Sequence, residues 1–167
     1  MEAITHILIG VVLQIVCFKY FIFPWNFILT IIFSFFSHFL IDALAKITYH
    51  TPEAHKEDKF WVIWHIIILI ASIGSTIYFF IPYWLGAISA NLVDIWDWAI
   101  LRTIQNRKKK KENIENWGEK YFIHSNVIDI IREKIFFWLP NLNYKKYGII
   151  PEIILITSFI SFIIFLK

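Results

Sequence analysis

Five stretches of apolar side chains, each about as long as a bilayer is thick, constrain this chain more than any other feature. They run from about Ala3 to Phe23, Phe27 to Ala45, Phe60 to Ile81, Tyr83 to Ile104 and Ile149 to Leu166. A spanning helix needs roughly 20 apolar residues, range about 17–25. Backbone groups in lipid must find their hydrogen bonds inside the segment, so each stretch is expected to be a helix. The richness in Ile and Phe, which favours strands in water, is overridden. Composition agrees: 58% of the 167 residues are hydrophobic, 17% are charged and the mean hydropathy is +0.61. A water-soluble domain of this size has too much surface to hide so much apolar side chain. The expected architecture is all-α: a polytopic membrane protein with about five transmembrane helices plus an amphipathic interfacial helix. One integral membrane domain spans residues 1–167. Cys17 is the single cysteine, which excludes a disulfide framework and a cysteine-based zinc site. The first stretch has no basic segment before it and reads as a retained span rather than a cleaved signal.

The connections alternate between short and long. Pro24-Trp25-Asn26 and Pro82 mark tight turns, whereas Lys46–Lys59 and Gln105–Gly148 are polar. With five crossings, the N-terminus and both polar segments share one side. Of the 16 Lys and Arg residues, all but Lys19 and Lys167 fall on that side. The positive-inside bias makes it cytoplasmic. Arg107–Lys111 is a basic run suited to anionic lipid. It lacks the interleaved aromatics of a nucleic-acid surface, so no nucleic-acid partner is expected. Within the long segment, Asn126–Leu139 is amphipathic: Ile128, Ile131, Ile135 and Trp138 recur at helical spacing. This is either a helix lying in the membrane interface or a lid packed on the end of the bundle.

Ionisable residues inside apolar runs cost roughly 2.5–3.5 kcal/mol each on insertion scales and need compensation. They are His6, His38, Asp42, His65, Asp94 and Asp97, accompanied by Asn91. All fall in the cytoplasmic half of their spans; His38 lies roughly 10 Å below Ala45 at helical rise. Equal depth on four helices points to one polar pocket. His38 and Asp42, four residues apart, share a helix face. Such a pair is either a buried ion pair or half of a divalent metal site. Imidazole plus carboxylate suits zinc first, with manganese or iron also accepting the set. Asp94 or Asp97 serves as ligand or base. His6 is a ligand or an interface residue, and His65 beside Trp61 and Trp64 is an interfacial one. His50 and His55 are loop residues that either face solvent or complete the site. His124 is positioned to fold back over it.

Three segments carry a family resemblance: Thr5-His6-Ile7-Leu8-Ile9-Gly10, Ser37-His38-Phe39-Leu40-Ile41-Asp42-Ala43-Leu44, and Gly86-Ala87-Ile88-Ser89-Ala90-Asn91-Leu92-Val93-Asp94, with His124-Ser125 later. Together they resemble the membrane-bound, metal-dependent hydrolases of small bacterial membrane proteins, the LexA-binding inner-membrane hydrolase-like group. Asn91 stands where that pattern has Asp. The resemblance implies His6, His38, Asp42 and His124 as metal or active-site positions, and a bacterial inner membrane as the expected setting. The expected function is metal-dependent hydrolysis of a phosphoester or ester in a lipid-linked substrate at the cytoplasmic face. The expected metal ligands are His6, His38, Asp42, Asn91 and His50, with Asp94, Asp97 and His124 as catalytic groups. The competing functions are a proton or ion transport component and a non-enzymatic membrane scaffold. Membrane lipids are the expected partners; the sequence fixes no oligomeric state.

Overall fold

The computed structural model describes residues 2–51, 55, 57–112 and 117–166. Pro52, Lys56 and Lys167 therefore lie outside the described residues. The described residues contain helices and no strand. Four helices are long and apolar enough to cross a membrane. The first is α1 (Ala3–Tyr20), followed by α2 (Trp25–Leu44), which a 3₁₀ turn extends to Ile47. Next is α3 (Lys59–Ala90), opened by Asp58, whose side chain accepts the Phe60 backbone N–H at 2.9 Å. Such a cap satisfies one of the donors every helix start leaves over. A short turn α4 (Leu92–Asp94), a π-helical stretch (Ile95–Leu101) and α5 (Arg102–Glu112) follow. The segment beyond carries a π-helical stretch (His124–Ile128) and α6 (Asp129–Lys134), and α7 (Ile149–Leu166) ends the fold.

The fourth expected span, 83–104, is not a separate helix. Its first third belongs to α3, and the rest is divided at Asn91 into α4, the π-helical stretch and the start of α5. The expected break at Pro82 is instead a sharp kink, with Tyr83 outside helical geometry (φ −132°, ψ 29°). Thr76 and Phe80 before the kink line the same cavity of about 150 Å³ as Ala87, Ile88 and Asn91 beyond it. Along a straight helix Thr76 and Asn91 would stand roughly 22 Å apart, so the kink folds α3 into two limbs. Proline removes a backbone donor and crowds the preceding turn. The Gln14 amide of α1 enters the gap this opens: its oxygen accepts the Gly86 N–H at 2.8 Å and its nitrogen donates to the Pro82 carbonyl at 3.4 Å.

Helix α1 is the central one. Its most apolar window is 56% buried, against 33% for α2 and 11% for α3 and α7. Leu8 and Val11 are wholly enclosed, packed with Ile4, Ile7, Trp64 and Ile163. Gly10 and Gly86 make the crossing of α1 and α3 close: a Cβ on either would run into the other's carbonyl group. The outer surfaces of α2, α3 and α7 carry exposed Ile and Phe side chains such as Phe36, Ile70, Ile77 and Phe165, the surface expected of helices solvated by lipid.

The amphipathic segment is shorter than the 126–139 pattern and lies across the end of α2. Ile128 is fully buried beneath it. Arg132 Nη2 donates to the Asp42 carbonyl at 2.9 Å, and Lys46 Nζ to the Phe136 and Phe137 carbonyls at 3.3 and 3.2 Å. Its other face leaves Ile135, Phe137 and Trp138 exposed. It thus packs as a lid while keeping an apolar outer face.

Candidate metal centre

Four side chains from three parts of the chain meet at the end of the bundle. One ligand atom each from His38, Asp42, Asp94 and His124 lies within 4.8 Å of all the others. His38 and Asp42 share one face of α2, as their i,i+4 spacing requires. The kink in α3 returns the chain so that Asp94 in α4 reaches the same place, and the lid delivers His124. His38 Nε2 is 3.1 Å from Asp42 Oδ2 and 4.0 Å from Asp94 Oδ1. His124 Nε2 is 2.8 Å from Asp42 Oδ2 and 3.5 Å from Asp94 Oδ1. Ligand atoms about 2.0–2.1 Å from a tetrahedral zinc are roughly 3.3 Å apart, and these separations bracket that value.

Proton placement sharpens the reading. His38 Nδ1 lies 2.7 Å from the Ala90 carbonyl, which can only accept. That nitrogen carries the proton, so in a neutral ring Nε2 presents a lone pair. The same Nε2 is buried and makes no hydrogen bond. His124 Nδ1 lies 2.7 Å from Asp97 Oδ2, which again turns Nε2 toward the carboxylates. The His38 lone pair faces two carboxylates, a repulsion that a positive charge between them relieves, and His124 Nε2, 2.8 Å from Asp42 Oδ2, donates to that carboxylate when protonated and can ligate when not. The donor set therefore fits a divalent cation. Carbonyl–imidazole and carboxylate–imidazole partners on the far ring nitrogens are the usual supports of metal-binding histidines.

The remaining expected residues surround this group. Asp97, expected as a catalytic group, is wholly buried and acts on His124: besides the ring, its carboxylate accepts the Ile123 and His124 backbone N–H groups at 3.0 and 2.8 Å. It anchors the first turn of the lid and orients its histidine. His6, expected as a ligand, lies 3.0 Å from Asp42 Oδ1 through Nε2 and stacks on His38 with ring centroids 4.2 Å apart. It steers the carboxylate from behind. Asn91 stands outside the group, its amide donating to the Ala87 carbonyl at 2.8 Å. His50 faces Glu2 at 3.3 Å. His65 stacks on Trp61, with Nδ1 at 2.7 Å from the Trp61 carbonyl, and His55 is exposed. Burial disfavours charge on His124, but its hydrogen bonds to Asp42 and Asp97 outweigh burial and hold its pKa above the usual imidazole range.

A cavity of about 790 Å³ opens on the group, with Asp42, Asp94 and His124 in its wall. Asp94 is the member of the group most open to it, its side chain 29% exposed against 0% for His38. Arg102 and Arg132 also line the cavity. In the sequence both count only as charges, and the cue for Arg102 is Trp98 one helical turn before it. Glu152 is not among the expected residues either; it is wholly buried in the first turn of α7 and accepts the Glu2 backbone N–H at 3.3 Å. Its position directly after Pro151, at the head of an apolar run, was the visible cue. No family model, curated protein or solved structure matches the chain.

Proposed function

We propose that the chain is a membrane-embedded, metal-dependent hydrolase whose substrate is a phosphoester or ester carried on a lipid. The reading rests on one observation: His38, Asp42, Asp94 and His124 converge with both imidazole Nε2 atoms turned inward and a large cavity in front of them. The motif resemblance around His6, His38, Asp42 and His124 points the same way. So does the bias of basic residues, which favours a cytoplasmic location for this end of the bundle; the bacterial inner membrane follows from the motif resemblance alone.

His38, Asp42 and His124 would hold the ion and leave Asp94 free beside an open position, with zinc the best match to two imidazoles and a carboxylate. A divalent cation bound there would supply Lewis acidity and ease the ionisation of a nearby water toward neutrality. The chain's own residues do the rest. Ala90 and Asp97 fix the two histidine tautomers. His6 holds Asp42 in place, and Asp94, at the cavity edge, is the carboxylate placed to accept a proton from the attacking water. On the proposed topology the cavity would open near the cytoplasmic edge of the bilayer, which suits an amphiphilic substrate.

Metal analysis of the purified protein tests the reading. About one equivalent of divalent metal is expected in the wild type and a small fraction of that in His38→Ala. Equal, sub-stoichiometric metal in both would remove the centre and with it the hydrolase.

A further inference from the structure

Arg102 stands out in the wall of the cavity. Its guanidinium carbon lies 5.1 Å from the centre of the Trp98 ring and 5.3 Å from that of Phe122. Nη1 donates to Gln105 Oε1 at 3.0 Å. Two aromatic faces and an amide thus hold the plane of the group. Among the described residues no carboxylate pairs with it, whereas Arg132 is paired with Asp129 at 2.9 Å. The Trp98 ring that stacks on Arg102 is itself 5.8 Å from the His124 ring, so the guanidinium and the metal group are one indole apart in the same cavity.

A fixed guanidinium with N–H groups to spare recognises oxyanions through paired hydrogen bonds. A phosphoryl group, with several charged oxygens, matches such a cation better than a neutral ester, which offers it only an uncharged carbonyl acceptor. We propose that Arg102 is the anchor for a phosphate group in this cavity, which narrows the substrate to a phosphate ester. The proposal rests on the metal-centre reading for its chemistry, but the anchoring itself can be measured separately.

The full chain in neutral detergent is titrated with inorganic phosphate by calorimetry, and metal content is measured on the same samples. Wild type binds, Arg102→Gln binds about tenfold more weakly or worse, and Arg102→Lys recovers part of the loss. Metal content stays the same in all three. A fold-independent arm uses the wild type alone: phosphate slows phenylglyoxal modification of Arg102, mapped by mass spectrometry, and a neutral sugar does not. Nanodiscs separate the sources of the phosphate. If the natural ligand is a lipid head group, doping phosphatidylcholine discs with phosphatidic acid abolishes binding of inorganic phosphate. If it is a soluble phosphate compound, the doped and undoped discs bind it equally. Equal phosphate binding by wild type and Arg102→Gln, or an Arg102 that phosphate leaves unprotected, overturns the anchor. Arg102-dependent phosphate binding in a protein without stoichiometric metal would keep the anchor and overturn the hydrolase.

Discussion

A buried imidazole has two nitrogens, and the partner of one decides what the other offers. Asp97 therefore matters without touching the cavity: its carboxylate fixes the His124 ring and the backbone that carries it. Asp97→Asn should weaken metal binding about 10–100-fold, as loss of such supporting partners does elsewhere; competition against a chromophoric chelator measures it. pH provides a second prediction at this scale. The folded-state pKa of His124 is raised above the ordinary value of 6.5. In metal-free protein its contribution to stability is thus complete below that value and disappears as pH climbs through the raised folded-state value. Metal needs the unprotonated ring, so affinity should increase over the same interval. Thermal unfolding of metal-free and metal-loaded protein between about pH 5 and 9 should show midpoints moving apart as pH rises. The sequence made much of this legible, since His38 and Asp42 announce themselves by spacing and Asp94 by its cost in lipid. The division of labour was not legible. Whether His6 binds metal or steers Asp42, and whether Asp97 faces the cavity or the lid, depends on how the helices rotate against one another.

At the scale of elements, the approach of α1 to α3 sets the geometry of everything above it. Gly10 and Gly86 let the two backbones meet, and His6 and Ala90 lie one turn further along. Gly10→Ala should lower stability by about 1–3 kcal/mol, the usual cost of overfilling a tight contact. Gly74→Ala is the control: nothing lies within 4 Å of a Cβ there, and the exchange should leave stability level or improve it by under ~1 kcal/mol. Thermal unfolding in detergent reads both. Helix positions were visible in the sequence because apolar length fixes them. The fate of residues 83–104 was not. Hydropathy sees one uninterrupted stretch there, whereas Pro82, Asn91 and the π-helical turn divide it by backbone hydrogen bonding, to which hydropathy is blind. The 126–139 segment shows the same limit: its helical spacing holds only to Lys134, Ile135 and Trp138 are exposed where Ile128 is buried, and the face that meets α2 is set by Arg132 and Lys46 bonding to carbonyl groups.

For the whole molecule the decisive property is sidedness. The two limbs of α3 put the Pro82 bend at the end of the bundle away from Asp42 and His124. Cys17 is fully buried, so single cysteines can be introduced over a quiet background. Lys110→Cys should react with an impermeant thiol reagent only from the cytoplasmic side, and Ile81→Cys only from the opposite one. Labelling of both from one side would undo the proposed topology. The bend also bears on how the chain is inserted. The Gly86 N–H and Pro82 carbonyl that would have bonded each other are bridged by a side chain from a helix seventy residues earlier. Hydrocarbon offers no substitute donor or acceptor. The returning limb thus cannot settle in the bilayer by itself: a helix translated some seventy residues sooner must still be waiting, unengaged at Gln14, when the hairpin arrives.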